Sequence, residues 1–274
     1  IYGSMNADGS NVLLCPTYYG GVTASNEYLI GDSSSGKPLN TDRYCVVVPN
    51  LFGNGRSSSP SNHPLGAEFP IISYYDNIQC QRKLVREHLK VTKPLVMVIG
   101  FSMGAMQAYA WATTYPDEIL SFCAICGTAS CASHNQLFLE SLLAALEADP
   151  KFALFSPAKA LADDPERYPA AGMRAFATIY AHMMASQPFF VNRLHTHIGA
   201  AEREDYVKVA RGIFGAQHPH DLRCMARTWH GCMGDKQQLY PLVGEDGRPS
   251  VKTDGSGAID PTSERASKLA TIKA

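Results

Sequence analysis

The residues best able to do chemistry are Gly100-Phe101-Ser102-Met103-Gly104, a G-x-S-x-G run. So short a pattern arises by chance, and only its surroundings give it meaning. Leu95 to Ile99 in front of it is an apolar run that reads as a buried strand. An amphipathic stretch, Met103 to Tyr115, begins directly behind the serine and is closed by Pro116. Strand, sharp turn and helix hold a serine hydroxyl at the tip of the turn, and the residues two positions to either side must be small. Gly100 and Gly104 meet that need. The rival reading is an ordinary glycine-rich strand-to-helix turn. In the catalytic reading Ser102 is a nucleophile that takes an acyl group from its substrate.

Attack on a carbonyl puts negative charge on its oxygen, so donors are needed nearby. Ser102 would sit at a helix N-terminus, where free amides and the positive end of the helix dipole face that charge. By position the Met103 amide is one donor. The second is expected from Pro16-Thr17-Tyr18-Tyr19-Gly20-Gly21, the loop after the strand-like run Asn11 to Cys15, with Tyr18 as the choice. The glycine pair lets backbone approach a substrate closely. Paired donors of this kind contribute about 3 kcal/mol each. A plain turn is the other reading of this loop. Tyr19 and Phe101 flank the two donors and are candidate substrate contacts.

The elements that must position these residues follow from apolar patterning. Asn11 to Cys15, Tyr44 to Val48, Leu95 to Ile99 and Ile119 to Cys126 are near-continuous apolar runs, as expected of parallel strands covered on both faces. Tyr74 to Leu89 and Met103 to Tyr115 carry helical spacing between them, which gives an α/β pattern. After Ser133 the pattern turns helical, with helices predicted over His134 to Ala148, Pro169 to Ser186, Ala200 to Phe214 and Leu222 to Trp229. Val243 to Pro261 reads as a surface loop and Ser263 to Ala270 as a further helix. The expected organisation is a core over residues 1–132, a helical lid over 133–240, and a loop and helix returning to the core over 241–274.

The chain has 274 residues, 45% hydrophobic and 18% charged, with a net charge of −1. No basic surplus favours nucleic acid or an anionic membrane, so neither is expected as a partner. Its opening residues carry no secretory signal, and its most apolar stretch, Leu95 to Ala112, is broken by polar residues. Eight cysteines are present, at 15, 45, 80, 123, 126, 131, 224 and 232. Those in apolar runs, Cys15, Cys45, Cys123 and Cys126, are expected to be buried free thiols, and the location cytoplasmic. Cys123, Cys126, Cys131 and His134 have loosely metal-like spacing. The first two sit three apart on a predicted strand and point to opposite faces, so no metal is expected.

The motif and its flanks resemble the homoserine O-acetyltransferase branch of the α/β-hydrolase superfamily. That branch reads Gly-Gly-Ser-Met-Gly-Gly-Met-Gln where this chain has Gly100 to Gln107, and the likeness runs on through Ala108, Trp111 and Tyr115-Pro116. Tyr2-Gly3, Asn6-Ala7, Asn11 to Cys15, Asn50 to Gly53 and Ala148-Asp149-Pro150 also fit. The resemblance implies a mostly parallel sheet with helices on both faces and a helical lid insertion. It implies a ping-pong reaction in which the serine takes an acyl group from acyl-CoA and passes it to an alcohol. No permanently bound cofactor is implied, and acyl-CoA would be a co-substrate. The partners implied are a small-molecule acyl donor and an alcohol acceptor, with a homodimer contact through the lid. Close relatives hydrolyse esters instead.

Three departures stand out. Where the acetyltransferases carry lid arginines suited to a carboxylate, Ala177 and Ala185 align, which disfavours homoserine as the acceptor. Arg174 is the remaining cation there, read either as a substrate contact or as a solvated helix residue. Phe101 and Ala105 make the turn more apolar, in keeping with a larger acyl group. Last, the serine's usual partners, an Asp and a His from the final two core strands, find no matching positions, as if those strands were missing. Among nine histidines, the candidates for a substitute base are His63, His88, His134, His195, His197, His218 and His220, the last followed by Asp221. Structural roles are the rival reading for each. Serine-dependent acyl transfer leads, ester or thioester hydrolysis follows, and a non-catalytic binding protein of the same fold is the rival from another class.

Overall fold

Short apolar runs pair because, buried on both faces, their backbone groups find partners only in one another. A computed structural model describes residues 1–129, 131–158, 163–231, 242–243 and 249–250. In chain order its first strands are β1 (Val12–Leu14), β2 (Ile30–Gly31), β3 (Leu39–Asn40), β4 (Cys45–Val47), β5 (Met97–Phe101) and β6 (Phe122–Ile125). Four of them form a parallel sheet ordered β4-β1-β5-β6, with Leu13 opposite both Val46 and Met97. The chain leaves β1 toward β4 on one side, then returns across β1 to place β5 on the other. The neighbours β1 and β5 are therefore the switch point of the sheet, and the crevice beyond their C-terminal ends is where open α/β sheets bind ligands.

The predicted strands are present but trimmed. The third is also displaced: pairing begins at Met97 and runs to Phe101, so β5 delivers the chain directly to Ser102. Leu95 makes only a single bridge, to Ile119. Apolar character reports burial, and Leu95 is wholly buried without belonging to the strand. On one face Val12, Leu14, Val47 and Val98 pack with α1 (Tyr74–Lys83) and α2 (Met103–Thr114). On the other, Leu13, Cys15, Val46 and Ile99 pack against Ile30 and Leu39 of the parallel pair β2–β3. Cys15 and Cys45 are buried as expected, whereas Cys126 is exposed with φ +53°. The reason is local, since β6 ends at Ile125 and Cys126 begins the turn.

The helices that follow are α3 (Ser133–Glu147), α4 (Pro150–Leu154), α5 (Ala170–Met183), α6 (Gln187–Val191), α7 (Arg203–Gly215) and α8 (Pro219–Gly231). Helix α5 packs between α3 and α7, and α8 lies against α3. All four predicted helices are found. The short α4 and α6 are additions; α4 begins on Pro150 and α6 carries Pro188 at its second position, prolines that by themselves suggest the end of the preceding helix. A first-turn proline loses no helix hydrogen bond, so it can open a helix as readily as follow one. Beyond them Leu242–Val243 and Pro249–Ser250 form a two-stranded antiparallel pair, β7–β8, at the start of the stretch from Val243 that reads as a loop. The predicted helix Ser263 to Ala270 and Cys232 lie outside the described residues.

Asp149 fastens the helical layer together. Its carboxylate accepts from Lys151 N at 3.0 Å as the N-cap of α4, and from Gly172 N at 2.9 Å in the first turn of α5. A Cβ on Gly172 would stand 2.9 Å from Asp149 Cβ, so only glycine admits the approach. Burial opposes the charge, yet these amides hold the carboxyl below its ordinary range. A depressed native value means stability present above the unfolded carboxyl range and lost as pH falls through the native one. Asp149→Ala is expected to cost about 1–2 kcal/mol at neutral pH, read from the urea midpoint at unchanged slope, and to cost less as acid protonates the wild type.

Candidate active site

Ser102 occupies a backbone conformation that side chains rarely adopt, φ 52° and ψ −119°. Such a geometry costs on the order of 1–3 kcal/mol and persists only where its surroundings enforce it. The enforcement is visible. Ser102 N donates to Ile125 O at 2.9 Å, continuing the β5–β6 ladder, while Ser102 O accepts from Met106 N at 3.2 Å as the helix begins. One residue thus ends a strand and starts a helix. A Cβ on Gly100 would lie 2.0 Å from the Gly104 carbonyl carbon, so the bend closes only without one. On Gly104 a Cβ would lie 2.6 Å from Pro16 O, so the absent side chain admits the neighbouring loop.

That loop is oriented from behind. Gln107, wholly buried on α2, donates from Nε2 to Thr17 O at 3.0 Å and to Met103 O at 3.2 Å. Its Oε1 accepts from Gln81 Nε2 at 2.6 Å, and Gln81 Oε1 accepts from Trp111 Nε1 at 2.8 Å. Thr17 O and Tyr18 N belong to one trans peptide, whose carbonyl and amide point in opposite directions. Holding the carbonyl toward Gln107 therefore turns the Tyr18 N–H away from it. Met103 N is the first amide of α2, one of those a helix leaves without an internal partner. The Tyr18 and Phe101 rings meet edge to face at 5.4 Å and join loop to turn.

Ser102 lines a cavity of about 870 Å³. Tyr18, Tyr19, Phe101 and Cys126 wall it from the sheet domain, and Asn135, Phe138, Tyr180, Phe214 and Trp229 from the helices. Tyr19 is anchored by its hydroxyl, which donates to Leu222 O at 2.8 Å, and burial pushes its phenol well above the ordinary value. Met103 lies beneath, its side chain fully buried. Arg174 is not brought to the cavity: it sits exposed on α5, whose buried face carries Met173, Phe176 and Ala177. The helical wall is what residue-type reasoning overlooks. Phe176, Tyr180 and Met183 recur at helical spacing, a signal that reports a buried face without saying that part of it meets a cavity.

None of the nine histidines lines this cavity. His220, in the pair that looks most like a base, is buried and shares a 2.8 Å hydrogen bond with Phe155 O, and burial lowers its pKa. Asp221 beside it accepts from Ser61 N at 3.0 Å and Ser61 Oγ at 2.6 Å. With His218 it lines a separate, polar cavity of about 590 Å³ on the far side of Gly20. His88, His134 and His197 are exposed, His63 is half-buried, and His195 is buried among Phe189 and Phe190. Among the described residues no group of three or more His, Cys, Asp or Glu side chains could hold a metal ion. Nor is any helix there long and apolar enough to cross a membrane.

Residues 11–166 match the alpha/beta hydrolase fold family. The chain is 34% identical over 236 residues to an ethyl acetate hydrolase of Pseudomonas veronii, covering 84% of this chain and 64% of the relative. It is 37% identical over 167 residues to a homoserine O-acetyltransferase of Zymomonas mobilis, covering 55% of this chain and 44% of that one. Among solved structures, the acetyl esterase MekB superposes with a TM-score of 0.75 at 33% identity, over 84% of this chain and 65% of that one. The chain thus spans a little under two thirds of that ethyl acetate hydrolase and of MekB.

Two measurements check the buried polar groups. Gln107→Leu strands the Thr17 carbonyl and the Gln81 amide, and is expected to cost about 2–4 kcal/mol in urea unfolding. Asp221 tests the second cavity. Burial raises its pKa to about 6 despite the Ser61 bonds. A native value above the unfolded one means the folded chain holds the proton longer, so stability falls as pH rises from about 4 to about 6. Asp221→Asn is expected to flatten that fall, which is on the order of 3 kcal/mol.

Proposed function

The chain belongs to the alpha/beta hydrolase fold family, and from that premise we propose that this enzyme cleaves carboxylic esters through an acyl-enzyme on Ser102. The observation that carries the reading is the serine's strained turn opening into the large cavity. Ser102 Oγ attacks the ester carbonyl, and the carbonyl oxygen becomes an oxyanion held by the Met103 and Tyr18 amides. The C–O bond to the alcohol breaks, the alcohol leaves with a proton, and water then frees the acid and restores the serine. A serine needs a base to take its proton in the first step. The described residues that line the cavity include none of the nine histidines. The helices from α3 to α8 act in this reading as the lid that shields the acyl-enzyme.

Acyl transfer from acyl-CoA to an alcohol is the second reading, favoured by the turn sequence Ser102-Met103-Gly104-Ala105-Met106-Gln107 and the acetyltransferase likeness over the core. Two observations support the hydrolase reading. The likeness to the ethyl acetate hydrolase runs over 84% of the chain, against 55% for the acetyltransferase. Among the described residues lining the cavity no side chain is charged, so a zwitterionic amino-acid acceptor would find no counter-charge there.

Ester turnover by the full natural chain tests this. Ser102→Ala is expected to lower kcat at least a thousandfold with little change in the urea midpoint. Acid is expected as the product, with release no faster when alcohols are added. Acceleration by an alcohol, with a new ester formed, would establish the transferase reading instead.

A further inference from the structure

We infer that the substrate is an uncharged ester whose acyl part is an extended apolar chain, longer than acetyl. The inference rests on the hydrolase reading for its chemistry, and on the cavity walls for its specificity. Pockets of about 300–1,000 Å³ hold drug-sized molecules, and this one, near 870 Å³, lies at the upper end. An acetyl group on Ser102 would leave most of it unfilled. Its helical wall is a run of interlocked rings: Tyr180 lies 4.5 Å from Phe214 and 5.4 Å from Phe138, and Phe138 lies 6.0 Å from Trp229. These are flat apolar faces, suited to an aliphatic chain laid against them.

The mouth continues the same chemistry. Met184, Ile198 and Ile213 line the cavity and remain 49%, 62% and 49% exposed. Apolar side chains of this size, left to water at the rim of an apolar cavity, mark a surface that a ligand covers. Met183 and Met184 add thioethers that adapt to chains of differing length. Phe101, next to the nucleophile, directs the apolar surface up to the reacting carbon.

Each methylene moved from water into such walls is worth about fourfold in affinity. The p-nitrophenyl esters from acetate to octanoate are expected to show kcat/KM rising at least tenfold with chain length. Met184→Glu, which sets a charge in the mouth, is expected to lower the octanoate-to-acetate ratio at least fivefold. Methyl ketones of increasing length, titrated calorimetrically, read the same preference without turnover, and 2-decanone is expected to bind at least tenfold tighter than 2-butanone. A flat series in both assays, or a preference for acetate, would overturn the inference. Failure to turn over any ester, with 2-decanone still bound more tightly, would overturn the hydrolase reading and leave the chain preference standing.

Discussion

The site depends on one backbone constraint, the φ of 52° at Ser102. A serine inside a strand or helix would bury its hydroxyl in packing. Here the residue bonds backward to β6 and forward into α2, and the side chain is left at the apex. Two glycines make the bend possible for different reasons. Gly100 lets the turn close on Gly104, and Gly104 lets the Pro16 carbonyl pack against the helix start. The second contact brings the donor loop to the nucleophile, so the same bend that exposes the hydroxyl also assembles its electrostatic surroundings.

The rest of the core reads as support for that arrangement. The sheet order brings the ends of β1 and β5 side by side, which is why the Tyr18 loop and Ser102 are neighbours despite more than eighty residues between them. The buried chain from Trp111 through Gln81 and Gln107 to Thr17 fixes one peptide plane. Polar groups so deep in a core are tolerated only when fully paired, and once paired they specify a single geometry. The helical layer contributes the other half of the cavity, tied down at its start by Asp149 and reaching the core through Tyr19.

How much of this was legible in the sequence divides along physical lines. The turn was legible because its requirement is local: an apolar run, glycines at fixed offsets, a helix behind. The core strands were legible by burial, though not their ends, since Leu95 is as buried as Val98 yet lies outside the ladder. The helices α4 and α6 were missed because Pro150 and Pro188 have two meanings at a helix boundary. Cys126 was misplaced because apolar composition does not say where a strand stops. The aromatic wall was hidden because Tyr180 and Phe214 look like core residues until the fold leaves a space beside them. His218, His220 and Asp221 have the residue types of a relay, but the fold turns them to a different cavity, and no spacing rule could have excluded that.

The most direct test of the account is where a serine-directed reagent bonds. Treating the full natural chain with a fluorophosphonate and mapping the modified peptide by mass spectrometry should place one phosphonyl group on Ser102, with none on the Ser102→Ala variant. A protein left unmodified, or modified on a different serine while Ser102 stays free, would contradict it.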